Sequence, residues 1–269
     1  MTQASPKPPA NSQALQAIAT FEASSLPGVW PHLDKKTLLA EMRQRLQSPL
    51  SVCQGQQPFC GPAAVVYELI RKQPTRYVEI CRSLFETGAF KAKTKRIEAS
   101  AKLRQSSRGD LKMGQSDWLI LATLRDAESL IFPVDPNAPS IIRGLSGMSF
   151  SWEIKGWIEE VLGYGQVIHS KAYRRGDLFA LRDAANSVKI GGVAFLLVNA
   201  RKLYGSGSST EAQLLSLDLP NHWVALIGNL ITANGRVAFD TYSWGRQIRV
   251  DVTEQDFQAG FWGVVIGLP

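Results

Sequence analysis

A cysteine directly ahead of an apolar run is the residue of this chain best placed to do chemistry. Cys60 is followed by Gly-Pro-Ala-Ala and then by apolar residues at helical spacing, namely Val65, Val66, Leu69 and Ile70. A proline near the first helical position favours initiation, so Cys60 is predicted at a helix N-terminus. A thiol attacks as its thiolate, whose pKa is lowered by a helix N-terminus or by an imidazolium. Cys60 is therefore a candidate nucleophile, and a buried structural cysteine is the alternative.

A glutamine six residues before Cys60 has a side chain suited to the same reaction. Attack on an acyl carbon needs hydrogen-bond donors for the developing oxyanion, commonly the backbone N–H of the nucleophile and a side-chain amide. Gln54, which is followed by Gly55 in a polar turn, is predicted to supply that amide.

The sequence Gln54-Gly55 followed by Cys60 resembles the papain-like cysteine peptidases, whose motif opens with Gln-Gly and reaches the nucleophile six positions after the glutamine. The Cys-Gly-Pro-Ala-Ala stretch is similar to bacteriocin-processing peptidase domains and to bacterial effector proteases of this superfamily. The resemblance covers residues 54–70 and 222–245. It implies a papain-like α+β fold, in which a helical part led by the nucleophile helix packs on a mostly antiparallel sheet.

The resemblance also implies a histidine base at the start of a strand and an Asn or Asp on the partner strand. His222 opens the stretch HWVALIG, and Asp240 follows 18 residues later. In papain-like enzymes the Asn precedes Ser-Trp-Gly; here Tyr242 occupies that position, and Asp240 lies two residues back on the same strand face. The implied triad is Cys60, His222 and Asp240, with Asp218 as a weaker substitute for the third member.

The remaining cysteines and histidines indicate packing. Cys81 lies on an apolar helical stripe, Cys53 adjoins Gln54, and His169 stands alone in a predicted strand, so all three are predicted to be structural. Three cysteines without a C-x-x-C pair and three scattered histidines argue against a disulfide framework and against a zinc site. No metal and no cofactor are therefore expected.

Helical periodicity dominates the first part of the chain, and strand patterns dominate the second. Helices are predicted near residues 38–46, 61–73, 78–85, 116–124 and 149–161. After residue 163 the sequence predicts strands, a helix opened by Asp177 and a hairpin at Asn234-Gly235. This order predicts one α+β domain over residues 29–269, with a helical part to about 163 and a sheet part from about 164. Residues 1–28, which are rich in proline, are predicted to form an arm or linker.

One basic segment accounts for the net charge of +7. Residues 71–112 contain 12 Lys or Arg against 4 Asp or Glu. Because no aromatic interleaving or nucleic-acid motif accompanies these charges, a solvated helix face followed by a loop is favoured and a nucleic-acid site is not expected. An acidic protein partner is the alternative.

Hydropathy indicates a protein made in the cytoplasm. No stretch approaches the ~20 apolar residues of a membrane-spanning helix, so no membrane association is expected. The polar start MTQASPKPPANSQ lacks the apolar core of a secretory signal. Export into a target cell would therefore use a specialised secretion system.

Through the resemblance, the sequence predicts a cysteine protease that cleaves a peptide bond by way of a thioester. A transglutaminase or a deamidase with the same triad is the alternative enzyme, and a catalytically idle scaffold of papain-like shape is the alternative without chemistry. By analogy with compact bacterial papain-like domains, the predicted role is a toxin or effector in interbacterial competition. Its partners would be a protein substrate in the target cell and an immunity protein that blocks the cleft.

Overall fold

Helices come first in the chain, and the main sheet comes last. The computed structural model describes residues 10–128, 149–205 and 219–269. Its α-helices are α1 (Ala10–Ala23), α2 (Lys35–Gln47), α3 (Cys60–Lys72), α4 (Pro74–Thr87), α5 (Ala101–Ser106), α6 (Gln115–Glu128), α7 (Ser151–Glu160), α8 (Leu178–Lys189), α9 (Ala200–Tyr204) and α10 (Glu254–Gly260). Its strands are β1 (Ala89–Lys91), β2 (Arg96–Glu98), β3 (Gln166–Ile168), β4 (Val193–Val198), β5 (His222–Ala233), β6 (Arg236–Ser243), β7 (Arg246–Thr253) and β8 (Phe261–Leu268). The predicted α+β class is confirmed.

The main sheet has six strands in the order β3-β8-β4-β5-β6-β7, and each described neighbouring pair is antiparallel. The predicted hairpin joins β5 to β6 through Asn234 and Gly235, whose φ angles are 52° and 70°. Two successive residues in the left-handed region are what a tight type I′ turn needs. The hairpin therefore returns the end of β6 to the level at which β5 begins.

The two faces of the sheet pack against different helices. On β5, Trp223 and Ala225 belong to the apolar cluster that contains the residues of α3. Val224 and Leu226 belong to a second cluster with Leu181 of α8. Because side chains of a strand alternate between faces, β5 lies at the centre of a helix-sheet-helix sandwich.

Helix α3 lies at the centre of the helical side. Its residues from Gly61 to Ile70 are all buried, and Tyr67 stacks on Tyr242 of β6 with ring centroids 4.2 Å apart. A helix that is buried on every side is one that other elements surround. This packing holds the N-terminal end of α3 against the sheet.

Part of the predicted arm over residues 1–28 is a packed helix, α1 (Ala10–Ala23). Helix α1 packs on α4, and Ala14, Ile18 and Phe21 are fully buried. Their spacing of four and three residues forms one apolar helix face, which outweighs the proline-rich composition around it. Residues 1–9 lie outside the described ranges.

The loop predicted within the basic segment 71–112 contains regular structure. Strands β1 and β2 pair as a small hairpin, and Ser100 caps α5 by accepting a hydrogen bond from the N–H of Leu103. The side chains of Ile97 and Leu103 are buried. The many cations predict a loop, whereas these two apolar residues indicate regular structure.

Candidate active site

Cys60 is the first residue of α3, as the sequence predicts. The backbone carbonyl of Phe59 accepts the N–H of Ala63, so the first helical turn opens directly behind the thiol. The Gly-Pro-Ala-Ala sequence suits this start, because proline near the first position has no N–H to leave unpaired. The positive end of the α3 dipole therefore points toward the sulfur.

The sulfur of Cys60 lies against the start of β5. Burial raises the pKa of the Cys60 thiol above its ordinary value. The backbone N–H groups of Trp223, Gly61 and Cys60 itself face the sulfur and act in the opposite direction, as does the charge of Arg125, but burial is the larger effect. Cys60 is therefore held as a thiol and not as a thiolate.

His222 is the first residue of β5 and is buried. Its Nε2 lies 2.6 Å from Oγ of Ser243, the last residue of β6. Its ring stacks on the indole of Trp244 with centroids 4.5 Å apart and 14° between the planes. Burial lowers the pKa of His222 to about 3, so the imidazole is neutral near pH 7.

The chain fold brings the Cys60 sulfur close to the backbone beside His222, whereas the His222 side chain, like that of Val224, lies on the α8 face of the sheet, opposite the face on which α3 packs. The residue after His222 is Trp223, whose N–H faces the Cys60 sulfur. Among the described residues, no hydrogen bond joins that sulfur to the imidazole, whose bonded nitrogen is Nε2. Since burial opposes both charged forms, the resting pair is a neutral thiol and a neutral imidazole.

The structure does not place Asp240 beside His222. Asp240 pairs with Gly228 of β5, six residues along the strand from His222, which is about 20 Å at 3.4 Å per residue. Its carboxylate accepts hydrogen bonds from Asn229 and Arg249. The register of β6 with β7 is regular, so Asp240 also points to the sheet face opposite Ser243. The predicted role of Asp240 as the partner of His222 is corrected on these grounds, and Asp218 lies outside the described residues.

Gln54 is not aimed at the thiol. Its Nε2 donates to the backbone carbonyl of Gln57 at 2.8 Å, and the backbone carbonyl of Gln54 accepts the N–H of Gln57. The side-chain amide is thus used to close the turn in which it lies. The oxyanion role predicted for Gln54 requires that this hydrogen bond be exchanged for one to the substrate.

The residue that sequence reasoning missed is Ser243. It belongs to the stretch Tyr-Ser-Trp-Gly, and the signal for it is the hairpin turn itself. His222 stands 12 residues before Asn234, whereas Asp240 stands only five residues after Gly235. A two-residue turn pairs residues at similar distances from it, so the partner of His222 must lie near the end of β6.

Three other residues that the sequence predicts to be structural make their contacts outside the candidate site. Cys81 is fully buried in the apolar core. Cys53 is half-buried, and its N–H donates to the buried carboxylate of Asp117. His169 is half-buried with Nε2 2.8 Å from Oγ of Ser151. These contacts do not involve Cys60 or His222.

No family model, no curated protein and no solved structure matches the chain. Within the described ranges, no group of three or more His, Cys, Asp or Glu side chains comes together to hold a metal ion. Among the helices of those ranges, none combines the length and the apolar character needed to cross a membrane.

Proposed function

We propose that this protein is a cysteine-dependent acyl-transfer enzyme of papain-like design, with peptide-bond hydrolysis as its reaction. The observation that carries the proposal is the sulfur of Cys60, which lies at the N-terminus of α3 and against the backbone N–H of the residue after His222. A helix N-terminus favours the thiolate, which is the nucleophilic form of cysteine. The stacking of Trp244 on His222 adds a shield from water.

The proposed reaction starts from the neutral pair. Cys60 attacks the peptide carbonyl, a carbon–sulfur bond forms, and the thiol proton passes to His222, whose ring must move around the start of β5 from the α8 face of the sheet to reach the sulfur. The backbone N–H of Cys60 at the helix start donates to the oxyanion. The proton then moves to the departing amine as the carbon–nitrogen bond breaks, and water hydrolyses the thioester to regenerate the thiol.

A proteome incubation tests the proposal. Wild-type protein and Cys60→Ser are incubated with a bacterial lysate, and new N-termini are quantified by mass spectrometry. We expect new termini with the wild type, none with Cys60→Ser, and at least tenfold fewer with His222→Ala. Circular dichroism of the variants is the control for folding.

The alternatives give different products in the same experiment. Amide-to-acid changes without new termini would replace the protease with a deamidase, and new isopeptide links would replace it with a transglutaminase. A lysate unchanged by any of these modifications would overturn the enzyme proposal in favour of a binding scaffold. The toxin role and the immunity protein stay predictions.

A further inference from the structure

Two aromatic side chains at the start of α7 are exposed and stacked on each other. The rings of Phe150 and Trp152 lie with centroids 4.4 Å apart and 5° between their planes. Trp152 is 57% exposed and Phe150 is 39% exposed. Aromatic side chains of this size normally bury most of their surface, so a preformed pair of exposed rings is suited to hold an apolar group of a ligand. We refer to Phe150 and Trp152 as the aromatic platform.

Buried polar contacts hold the aromatic platform rigid. The N–H of Phe150 donates to Glu153 at 2.7 Å, and Glu153 accepts two hydrogen bonds from the guanidinium of Arg125 at 2.7 and 2.8 Å. Both charged side chains of this ion pair are at most 5% exposed. Such a bidentate pair fixes the backbone at the start of α7. The rings are therefore presented on a rigid helix end and not on a loose loop.

The aromatic platform adjoins the proposed nucleophile. Ser149, the residue before it, packs against Gly61 so closely that a Cβ on Gly61 would lie 2.5 Å from the serine hydroxyl. The backbone carbonyl of Ser149 accepts the indole N–H of Trp223, whose own backbone N–H faces the Cys60 sulfur. The platform therefore directly follows Ser149, which contacts both Gly61, the residue after Cys60, and the indole of Trp223.

The hydroxyl of Ser149, which lies between the platform and Gly61, matters because of its hydrogen bonding within the described ranges. Oγ of Ser149 is buried and has no partner among the described residues. A buried hydroxyl without a partner is costly, and a ligand that displaced its contact with Gly61 and supplied a carbonyl or an N–H would remove that cost. A group with polar atoms beside Ser149 and apolar surface beside Trp152 is what an extended peptide with a large apolar side chain offers.

We propose that the aromatic platform is a specificity site that takes an aromatic or large aliphatic side chain of the peptide substrate, next to the bond that Cys60 attacks. The proposal rests on the proposed function for the identity of the substrate as a peptide. The exposed rings provide the apolar contact, and the Ser149 hydroxyl bonds a neighbouring peptide group of the substrate.

Peptide binding to the full chain with Cys60→Ala tests this site without requiring catalysis. Fluorescein-labelled, capped octapeptides carry Phe, Leu, Ser or Asp at one scanned position, and their Kd values are measured by fluorescence polarisation. We expect Phe or Leu at one position to bind at least tenfold more tightly than Ser. Adding Trp152→Ala or Phe150→Ala should reduce this preference to below threefold.

The matched control is Phe179→Ala, because Phe179 is a 75% exposed aromatic residue on α8, on the other side of the sheet. It should leave the tenfold preference unchanged. A preference that survives Trp152→Ala, the absence of any preference up to 1 mM peptide, or Trp152-dependent binding of chitooligosaccharides in place of peptides would each overturn the proposal. Trp152-dependent peptide binding, together with a lysate that the wild type leaves unchanged, would retain the platform and reject the proposed peptidase. New N-termini in the lysate without any side-chain preference in binding would retain the peptidase and reject the platform.

Discussion

At the residue scale, the proposed nucleophile and base are held in their neutral forms. The dipole of α3 and three backbone N–H groups favour a thiolate at Cys60, but burial is the larger effect on its pKa. Among the residues that the structure describes, the hydrogen-bond partner of the His222 ring is the neutral hydroxyl of Ser243 and not a carboxylate. The proton transfer is therefore expected to accompany attack on the substrate and not to precede it.

Alkylation against pH tests the neutral pair. Because burial raises the thiol pKa above its ordinary value of 9.0, the rate of iodoacetamide labelling at Cys60 should still be rising at pH 9. The measurement is residue-resolved mass spectrometry, in which Cys81 serves as a buried reference. A labelling rate that is level from pH 6 to 8 and falls in His222→Ala would mean that a thiolate–imidazolium pair exists at rest.

Replacing Ser243 and Asp240 separately distinguishes the observed partner of His222 from the one that the sequence predicts. Ser243→Ala removes the hydrogen bond that orients the ring, so kcat should fall about 10- to 100-fold. Asp240→Asn keeps the size of a side chain that bonds Asn229 and Arg249, so kcat should change less than threefold. The reverse order of effects in a peptidase assay would restore Asp240 as the third member.

The burial of His222 also makes stability depend on pH. The folded pKa of His222 is about 3 and the unfolded value is about 6.5, so the unfolded state binds the proton first as pH falls. The stabilisation from keeping the ring neutral is complete above about pH 6.5 and is lost between there and about pH 3. At pH 5 the loss is about 2 kcal/mol.

Urea unfolding at pH 7 and pH 5 measures this loss. His222→Gln should be less sensitive to acid than the wild type by about 2 kcal/mol, because its side chain does not titrate. His32→Gln, at an exposed histidine, is the control and should retain the wild-type sensitivity. Equal acid sensitivity in His222→Gln and in the wild type would contradict the lowered pKa.

At the element scale, α7 is anchored by a buried ion pair. Arg125 of α6 and Glu153 of α7 form two hydrogen bonds with each other, and the second carboxylate oxygen also holds the N–H of Phe150. Removing one member of a buried pair leaves the other charge without compensation. The ion pair is therefore expected to matter more for the position of α7 than any surface contact of the helix.

Glu153→Gln should lower the free energy of unfolding by about 3–5 kcal/mol. The control on the same helix is Glu159→Gln, which removes an exposed ion pair with Lys155 and should cost at most about 1 kcal/mol. Urea denaturation monitored by circular dichroism gives both values. Similar costs for the two substitutions would show that the buried pair has no special role.

At the scale of the whole molecule, the sheet belongs to both apolar clusters. On β6, Tyr242 packs with the cluster of α3, and Phe239 packs with the cluster of α8. Each cluster packs on one face of the same sheet, so disrupting the sheet would expose the residues of both clusters. The two sides are therefore expected to unfold together.

Phe239→Ala tests this coupling. The substitution should cost about 3–5 kcal/mol, since Phe239 is fully buried. Most of the buried tryptophans lie in the other cluster, including Trp30, Trp118, Trp157 and Trp223. The transitions by tryptophan fluorescence and by far-UV circular dichroism should shift equally and remain coincident. A shift in circular dichroism alone would mean that the two sides unfold independently.

Local sequence patterns determined many of the elements of this protein, although not α1, β1, β2 or α5. Apolar residues at helical spacing determine α2, α3 and α4, Asp177 caps α8, and Asn234-Gly235 forms the hairpin. These features depend on neighbours within a few residues, so one sequence is enough to predict them. The helix N-terminus at Cys60 and the strand start at His222 belong to this set.

The tertiary structure alone decided which side chains meet. The register of β5 with β6 shifts twice around Gly228, and side-chain alternation then assigns Ser243 and not Asp240 to the sheet face of His222. The charge states of Cys60 and His222 likewise follow from burial by elements that are distant in sequence. Strand register, the sheet face on which a side chain lies, and its loss of solvent all depend on elements that are distant in sequence. The local spacing of residues therefore does not determine them.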